Sequence, residues 1–204
     1  MEKDTVRFLS YICPTCRQSV IVQRDLFSLA AAPTHISCPC GWSQLGVEFL
    51  PSRVELSVPC QFCNREHRVS CSSTAFVREK AIAFSCTASG LDCCYVGDEG
   101  PVFAATARLE KAVEQLDEQG EEKGTYLNDT VMYEVLSELR DIAQRGGISC
   151  ACGSENWAFQ VNYSSVDLIC GECKAQARIP AATADDIDDV CCKHSILIRG
   201  KQAP

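Results

Sequence analysis

Apolar and polar residues alternate in short runs over both ends of the chain. Gln18-Ser19-Val20-Ile21-Val22, Leu45-Gly46-Val47-Glu48-Phe49 and Val54-Glu55-Leu56-Ser57-Val58 carry the period-two rhythm of half-buried strands. Pro51-Ser52 separates the last two and predicts a β-hairpin. Thr34-His35-Ile36-Ser37 and Ala81-Ile82-Ala83-Phe84-Ser85 are further strand signals, and Asp25 to Ala32 and Ser73 to Lys80 read as short helices. In the middle the rhythm changes to the helical period. Val102, Ala105, Leu109, Ala112, Val113 and Leu116 form one stripe; Val131, Met132, Val135, Leu136, Leu139, Ile142 and Ala143 form a second. Asn128 or Asp129 can cap the second helix and Gly146-Gly147 can end it, with the turn between the helices at Gly120 to Gly124. Alternation returns in Trp157 to Val161 and Val166 to Ile169, around the turn Asn162-Tyr163-Ser164-Ser165. Thr183 with Asp185 and Asp186 marks a helix start, and Ile196-Leu197-Ile198 a last strand.

The first half repeats itself. Cys13-Pro14-Thr15-Cys16, a strand, a helix and a strand lead to Cys38; Cys60-Gln61-Phe62-Cys63 followed by the same order leads to Cys86. The spacing between the second and third cysteine is nearly equal in the two copies, which chance does not supply.

Cysteine changes this picture most, with 16 in 204 residues. The charged start, Met1-Glu2-Lys3-Asp4-Thr5, precedes no apolar h-region, so the expected location is cytoplasmic, where thiols stay reduced. No apolar run approaches the roughly 18 residues of a membrane span, and no membrane partner is expected. Cysteines one or two residues apart grip a metal better than they bond each other. A four-thiolate zinc site needs two such pairs, brought together by a hairpin. Three sites can be assembled: Cys13 and Cys16 with Cys38 and Cys40; Cys60 and Cys63 with Cys86 and one of Cys93 or Cys94; Cys150 and Cys152 with Cys170 and Cys173. An alternative joins Cys38 and Cys40 to Cys60 and Cys63. The cofactor expected is Zn2+, about three ions, with iron as the other metal that suits four sulfurs.

Cys13-Pro14-Thr15-Cys16, Cys38-Pro39-Cys40-Gly41, Cys150-Ala151-Cys152-Gly153 and Cys170-Gly171-Glu172-Cys173 resemble the rubredoxin-like knuckles of the zinc-ribbon family. The first repeat is also similar to the bacterial CpXC domain, with its paired-cysteine knuckle, strand, helix and second knuckle. The resemblance implies a small, metal-stabilised α+β fold, with zinc-ribbon β-hairpin modules flanking a central antiparallel αα-hairpin. The expected parts are 1–97 (copies at about 8–50 and 53–97), 98–147 and 148–204. Two knuckles are one residue shorter than the family pattern, and six residues separate Cys86 from Cys93. The order Cys150-x-Cys152 and Cys170-x-x-Cys173 is similar to that of the redox-switched holdase chaperones, which implies a thiol-redox or metal-responsive switch as the alternative function.

The remaining residues have plainer readings. Cys71 is expected as a buried thiol, Cys191 and Cys192 as core packing beside Ile187 and Val190, and His67 as a surface histidine that could instead replace a sulfur ligand near Cys63. No phosphate loop, nucleophile elbow or His-Glu-x-x-His occurs, and closed four-cysteine sites leave no open metal position, so an enzyme is not expected. Arg53, Arg65, His67 and Arg68 form a modest basic cluster, beside which Phe62 could stack a base. The net charge of −8 argues against a nucleic-acid partner. Residues 98–147 alone carry −7. The function expected is a structural, non-catalytic adaptor or scaffold whose partner is another protein, with nucleic-acid binding as a further alternative.

Overall fold

The computed structural model describes residues 5–199. It is a mixed α+β fold of antiparallel sheets with one short parallel pair, divided into two compact units between Val113 and Glu114. Among the described residues, no helix is long and apolar enough to cross a membrane.

The first unit holds the repeat. Strands β1 (Val6–Ile12) and β2 (Ser19–Asp25), helix α1 (Leu26–Ala31), and strands β3 (Thr34–Ser37) and β4 (Gln44–Phe49) form the first copy. The second copy is β5 (Arg53–Pro59), β6 (Glu66–Ser72), α2 (Ser73–Arg78), β7 (Ala81–Ser85) and β8 (Asp92–Gly97). The repeat therefore begins before its first cysteine, and the expected hairpin at Leu45–Val58 joins the last strand of one copy to the first of the next. Both short helices start on equivalent caps. Asp25 accepts the N–H groups of Phe27 and Ser28, and Ser72 accepts that of Ala75.

The copies are interleaved. One four-stranded sheet runs β2-β1-β8-β7 and the other β3-β4-β5-β6. Each takes the opening hairpin of one copy and the closing hairpin of the other. Exchanging equivalent strands turns one sheet order into the other. Leu9 and Tyr11 of β1 are buried, and the Tyr11 hydroxyl reaches the Ile36 and Ser43 carbonyls at 3.3 Å, which ties the first sheet to the β3–β4 turn of the second. Phe8 and Ser10 take the opposite face of β1. There they meet Phe103, edge-on at 6.0 Å, and the Thr106 hydroxyl at 2.7 Å, both from α3 (Glu99–Lys123).

The second unit contains the end of α3, α4 (Asp129–Gln144), β9 (Ile148–Cys150), β10 (Trp157–Val161), β11 (Ser165–Cys170), β12 (Gln176–Pro180), α5 (Ala184–Cys191) and β13 (Ile196–Ile198). Strands β10-β11-β12 make an antiparallel sheet, and β13 pairs parallel with β9. The core joins Val131, Met132, Val135 and Ile142 of α4 to Val166, Leu168 and Ile179 of the sheet and Ile196 and Ile198 of β13.

The expected αα-hairpin takes a different form. Two long helices are present, but their apolar stripes serve separate cores. Val102, Ala105, Leu109 and Val113 of α3 are buried within the first unit, whereas the α4 stripe is buried among the C-terminal strands. Two stripes of helical period fix two amphipathic helices, not that they face each other. The turn also lies later than expected, because α3 continues through Lys123.

Candidate metal centres

Six tight turns bring the cysteines together, and they share one backbone design. In each, the first cysteine N–H reaches a carbonyl four or five residues on: Gln18, Ser43, Arg65, Leu91, Ser154 or Ala175. Each also needs one residue with a positive φ, namely Arg17, Gly41, Asn64, Gly90, Gly153 or Lys174. Among the described residues, Arg17, Asn64 and Lys174 are the only non-glycine ones in this region. The turn leaves backbone N–H groups pointing at sulfur, as from Cys16 to Cys13 and from Phe62 to Cys60, both at 3.4 Å.

Among the described residues, three clusters of ligand atoms result: Cys13, Cys16, Cys38 and Cys40; Cys60, Cys63, His67 and Cys86; and Cys150, Cys152, Cys170 and Cys173. Within each, all ligand atoms lie within 4.8 Å of one another. Cys13 and Cys40 are 3.6 Å apart, Cys16 and Cys38 3.5 Å, Cys150 and Cys173 3.5 Å, and Cys152 and Cys170 3.7 Å. Four sulfurs about 2.3 Å from a central ion stand about 3.8 Å apart. A disulfide needs about 2.05 Å. The spacing fits four ligands around an ion, and all sixteen cysteines are free.

The topology explains the positions. The first cluster joins the β1–β2 turn of one sheet to the β3–β4 turn of the other; the second joins the β5–β6 turn to the β7–β8 turn. Each therefore clamps the two sheets together at one place. In the second unit, the third cluster ties the end of β9 to the β11–β12 turn. The grouping of Cys38 and Cys40 with Cys60 and Cys63 is not formed.

The second cluster departs from the expected ligands. Its fourth member is His67, whose Nε2 lies 3.2 Å from the Cys63 sulfur. Neither Cys93 nor Cys94 completes it. Cys94 is fully buried, with its sulfur 4.0 Å from the Tyr95 carbonyl oxygen, and burial pushes its thiol upward. Cys93 donates to the Phe84 carbonyl at 3.2 Å. The repeat itself held the missing signal. The second copy has Thr87-Ala88-Ser89 after Cys86, without a counterpart of Cys40, and it has His67 where the first copy has Val20.

The thiols of one cluster differ in how readily they ionise. Burial works to raise Cys13, yet the Cys16 N–H, the Ser43 hydroxyl and the Thr15 N–H outweigh it and bring it to about 7. The Cys173 N–H brings Cys170 down to about 6 against its burial. Their neighbours move the other way. Burial raises Cys16 and Cys38. The Cys152 N–H favours the Cys150 thiolate, but burial and three adjacent sulfurs push it up to about 12. Each four-cysteine cluster thus pairs one thiol that ionises readily with a neighbour that resists, a repulsion that a divalent ion would offset.

The other candidates have clear places. Cys71 is half-buried, and Cys191 and Cys192 are exposed rather than packed in the core. Phe62 is buried and offers no stacking face; Arg53 pairs with Glu55 at 2.7 Å and Arg68 with Glu66 at 3.9 Å. No family model matches the chain, and no curated protein or solved structure is similar to it.

Proposed function

We propose that this is a structural zinc protein of zinc-ribbon-like modules, acting as a non-catalytic adaptor or scaffold for another protein in the reducing cytoplasm. The observation that carries the reading is the spacing of the ligand atoms, within 4.8 Å of one another in three places and close to a tetrahedral edge in the two four-cysteine clusters. Small sheets bury too little apolar surface to hold together alone, and the binding energy of a structural ion is folding energy. Two thiolate sets of four and one of three with an imidazole suit zinc, and closed sets leave no position for a substrate. Exposed aromatic residues such as Phe27, Trp42 and Phe159 are surfaces that a protein partner would cover. The paired arginines and the buried Phe62 weigh against nucleic acid.

The test is metal content by mass spectrometry on reduced protein, with a thiol count after unfolding in the presence of metal-saturating zinc. Three zinc ions are expected, with Cys71, Cys93, Cys94, Cys191 and Cys192 outside the clusters. One ion should be lost in Cys13→Ser and one in Cys170→Ser. Iron in place of zinc would overturn the metal assignment, and fewer than two ions the whole reading.

A second reading, a thiol-redox switch, is favoured by one feature. Cys152 and Cys173 are exposed, whereas the cysteines of the other clusters are buried or half-buried. Dilute peroxide should then release the ion of the third cluster before the others. Simultaneous release of all three would remove this reading.

A further inference from the structure

The second cluster holds more donors than one ion needs. The ladder between β7 and β8 slips between Phe84, opposite Cys94, and Ser85, opposite Asp92, which leaves Cys93 without a partner across the strands. A bulge of this kind re-aims its side chain. Cys93 is buried, and its thiol neighbours Cys60 closely enough to disfavour the Cys60 thiolate. On the other side of the cluster, His67 is only half-buried.

The first copy shows what these positions hold when four cysteines suffice. At the place of His67 it has the buried, apolar Val20; Leu45, opposite Ile36, corresponds to Cys94, opposite Phe84, so Cys93 is an added residue with no counterpart in the first copy. The second copy has lost the sulfur equivalent to Cys40, carries a donor at the place of Val20 and adds a second donor at the bulge. One donor replaces the missing ligand. The other sits on a residue that the first copy lacks altogether, so the packing of the repeat does not require it.

We propose that Cys93 is an alternative fourth ligand of the second centre, exchanging with His67 on a bound metal ion. This rests on the reading of the clusters as metal centres. In the exchange the Cys93 thiol gives its proton to water and turns from the Phe84 carbonyl, and its sulfur bonds the ion. The bond from the ion to Nε2 breaks, and the imidazole leaves neutral. The centre passes from three thiolates and a histidine to four thiolates, gains one negative charge and frees the half-exposed His67.

The test uses the full chain, loaded with zinc and weighed by native mass spectrometry. Wild type is expected to hold three ions and Cys60→Ser two. His67→Ala should still hold three, because Cys93 takes over, and the double variant His67→Ala/Cys93→Ser should hold two. A His67→Ala protein that folds and holds two ions would overturn the proposal. Should His67→Ala fail to fold, acylating the histidines of the folded protein with diethylpyrocarbonate decides instead. The wild type should keep its second ion after modification and Cys93→Ser should lose it; equal loss from both would overturn the exchange. A wild type with fewer than three ions, or no loss in Cys60→Ser, would count against the metal reading itself.

Discussion

At the scale of single residues, the knuckles place a conformational demand on one position each. Gly153 has φ +88°, and a methyl group there would meet no neighbour within 4 Å. Gly153→Ala therefore tests the backbone alone. It should cost about 1 kcal/mol, read as a lower midpoint in urea and weaker zinc retention at the third cluster. The tyrosines give a test in pH. Burial pushes Tyr11 up to about 12, and burial with the nearby Asp92 carboxylate does the same to Tyr95. An unfolded phenol loses its proton near 10. Between these values the unfolded chain binds fewer protons than the folded one, so stability falls as pH rises through the window. Tyr95→Phe should flatten that fall in urea melts taken from about pH 9 to about pH 11; an unchanged slope would refute the assignment. Residue-level legibility was uneven. Cysteine spacing identified eleven of the clustered thiols, because a tight turn fixes ligand positions within a few residues. His67 was harder to place, because strand geometry, not local spacing, carries it to the Cys63 sulfur.

At the scale of elements, short-range patterns show clearly in strands with one buried face and fade in those buried on both. β1 and β8 are buried along most of their length, so neither alternates, and neither was anticipated as a strand. Two other local devices support the second unit. Asp186, almost fully buried at the start of α5, accepts from the N–H groups of Ala182 and Thr183 at 2.9 and 2.8 Å and from the Thr183 hydroxyl at 3.2 Å. Asp186→Ala would strand buried donors and should cost about 2 kcal/mol in chemical denaturation. Across β11 and β12, Arg178 grips Asp167 through two bonds of 2.8 and 2.7 Å, with both side chains largely buried. Removing one partner leaves a charge without its counterion. Arg178→Met should therefore destabilise by about 3 kcal/mol, whereas replacing both partners with apolar residues should recover most of the loss. If the single and double variants melt alike, the pair has no such role.

For the whole molecule, the two compact units give a prediction about independence. Cys170→Ser should remove hydrogen-exchange protection from β11, β12 and α4, while amides of β1, β5 and β8 stay protected. Loss of protection throughout would mean that the units do not fold separately. The sequence carried the repeat but not its interleaving, because a repeat states which segments are alike and says nothing about which copy each strand pairs with. That interleaving has a consequence for the order of synthesis. The chain's first hairpin, β1 with β2, borders β8, whose last residue is Gly97. The sheet β2-β1-β8-β7 can therefore not be complete until nearly a hundred residues have left the ribosome, whereas its neighbour needs the chain only as far as β6, which ends at Ser72. The four sulfurs of the first centre, by contrast, are all available once Cys40 has emerged. An ion captured at that stage would hold the β1–β2 turn against the end of β3 while β4 and the partner copy are still being made. It would also mask four reactive thiols through the interval in which a half-finished sheet is most prone to pair with a neighbouring nascent chain.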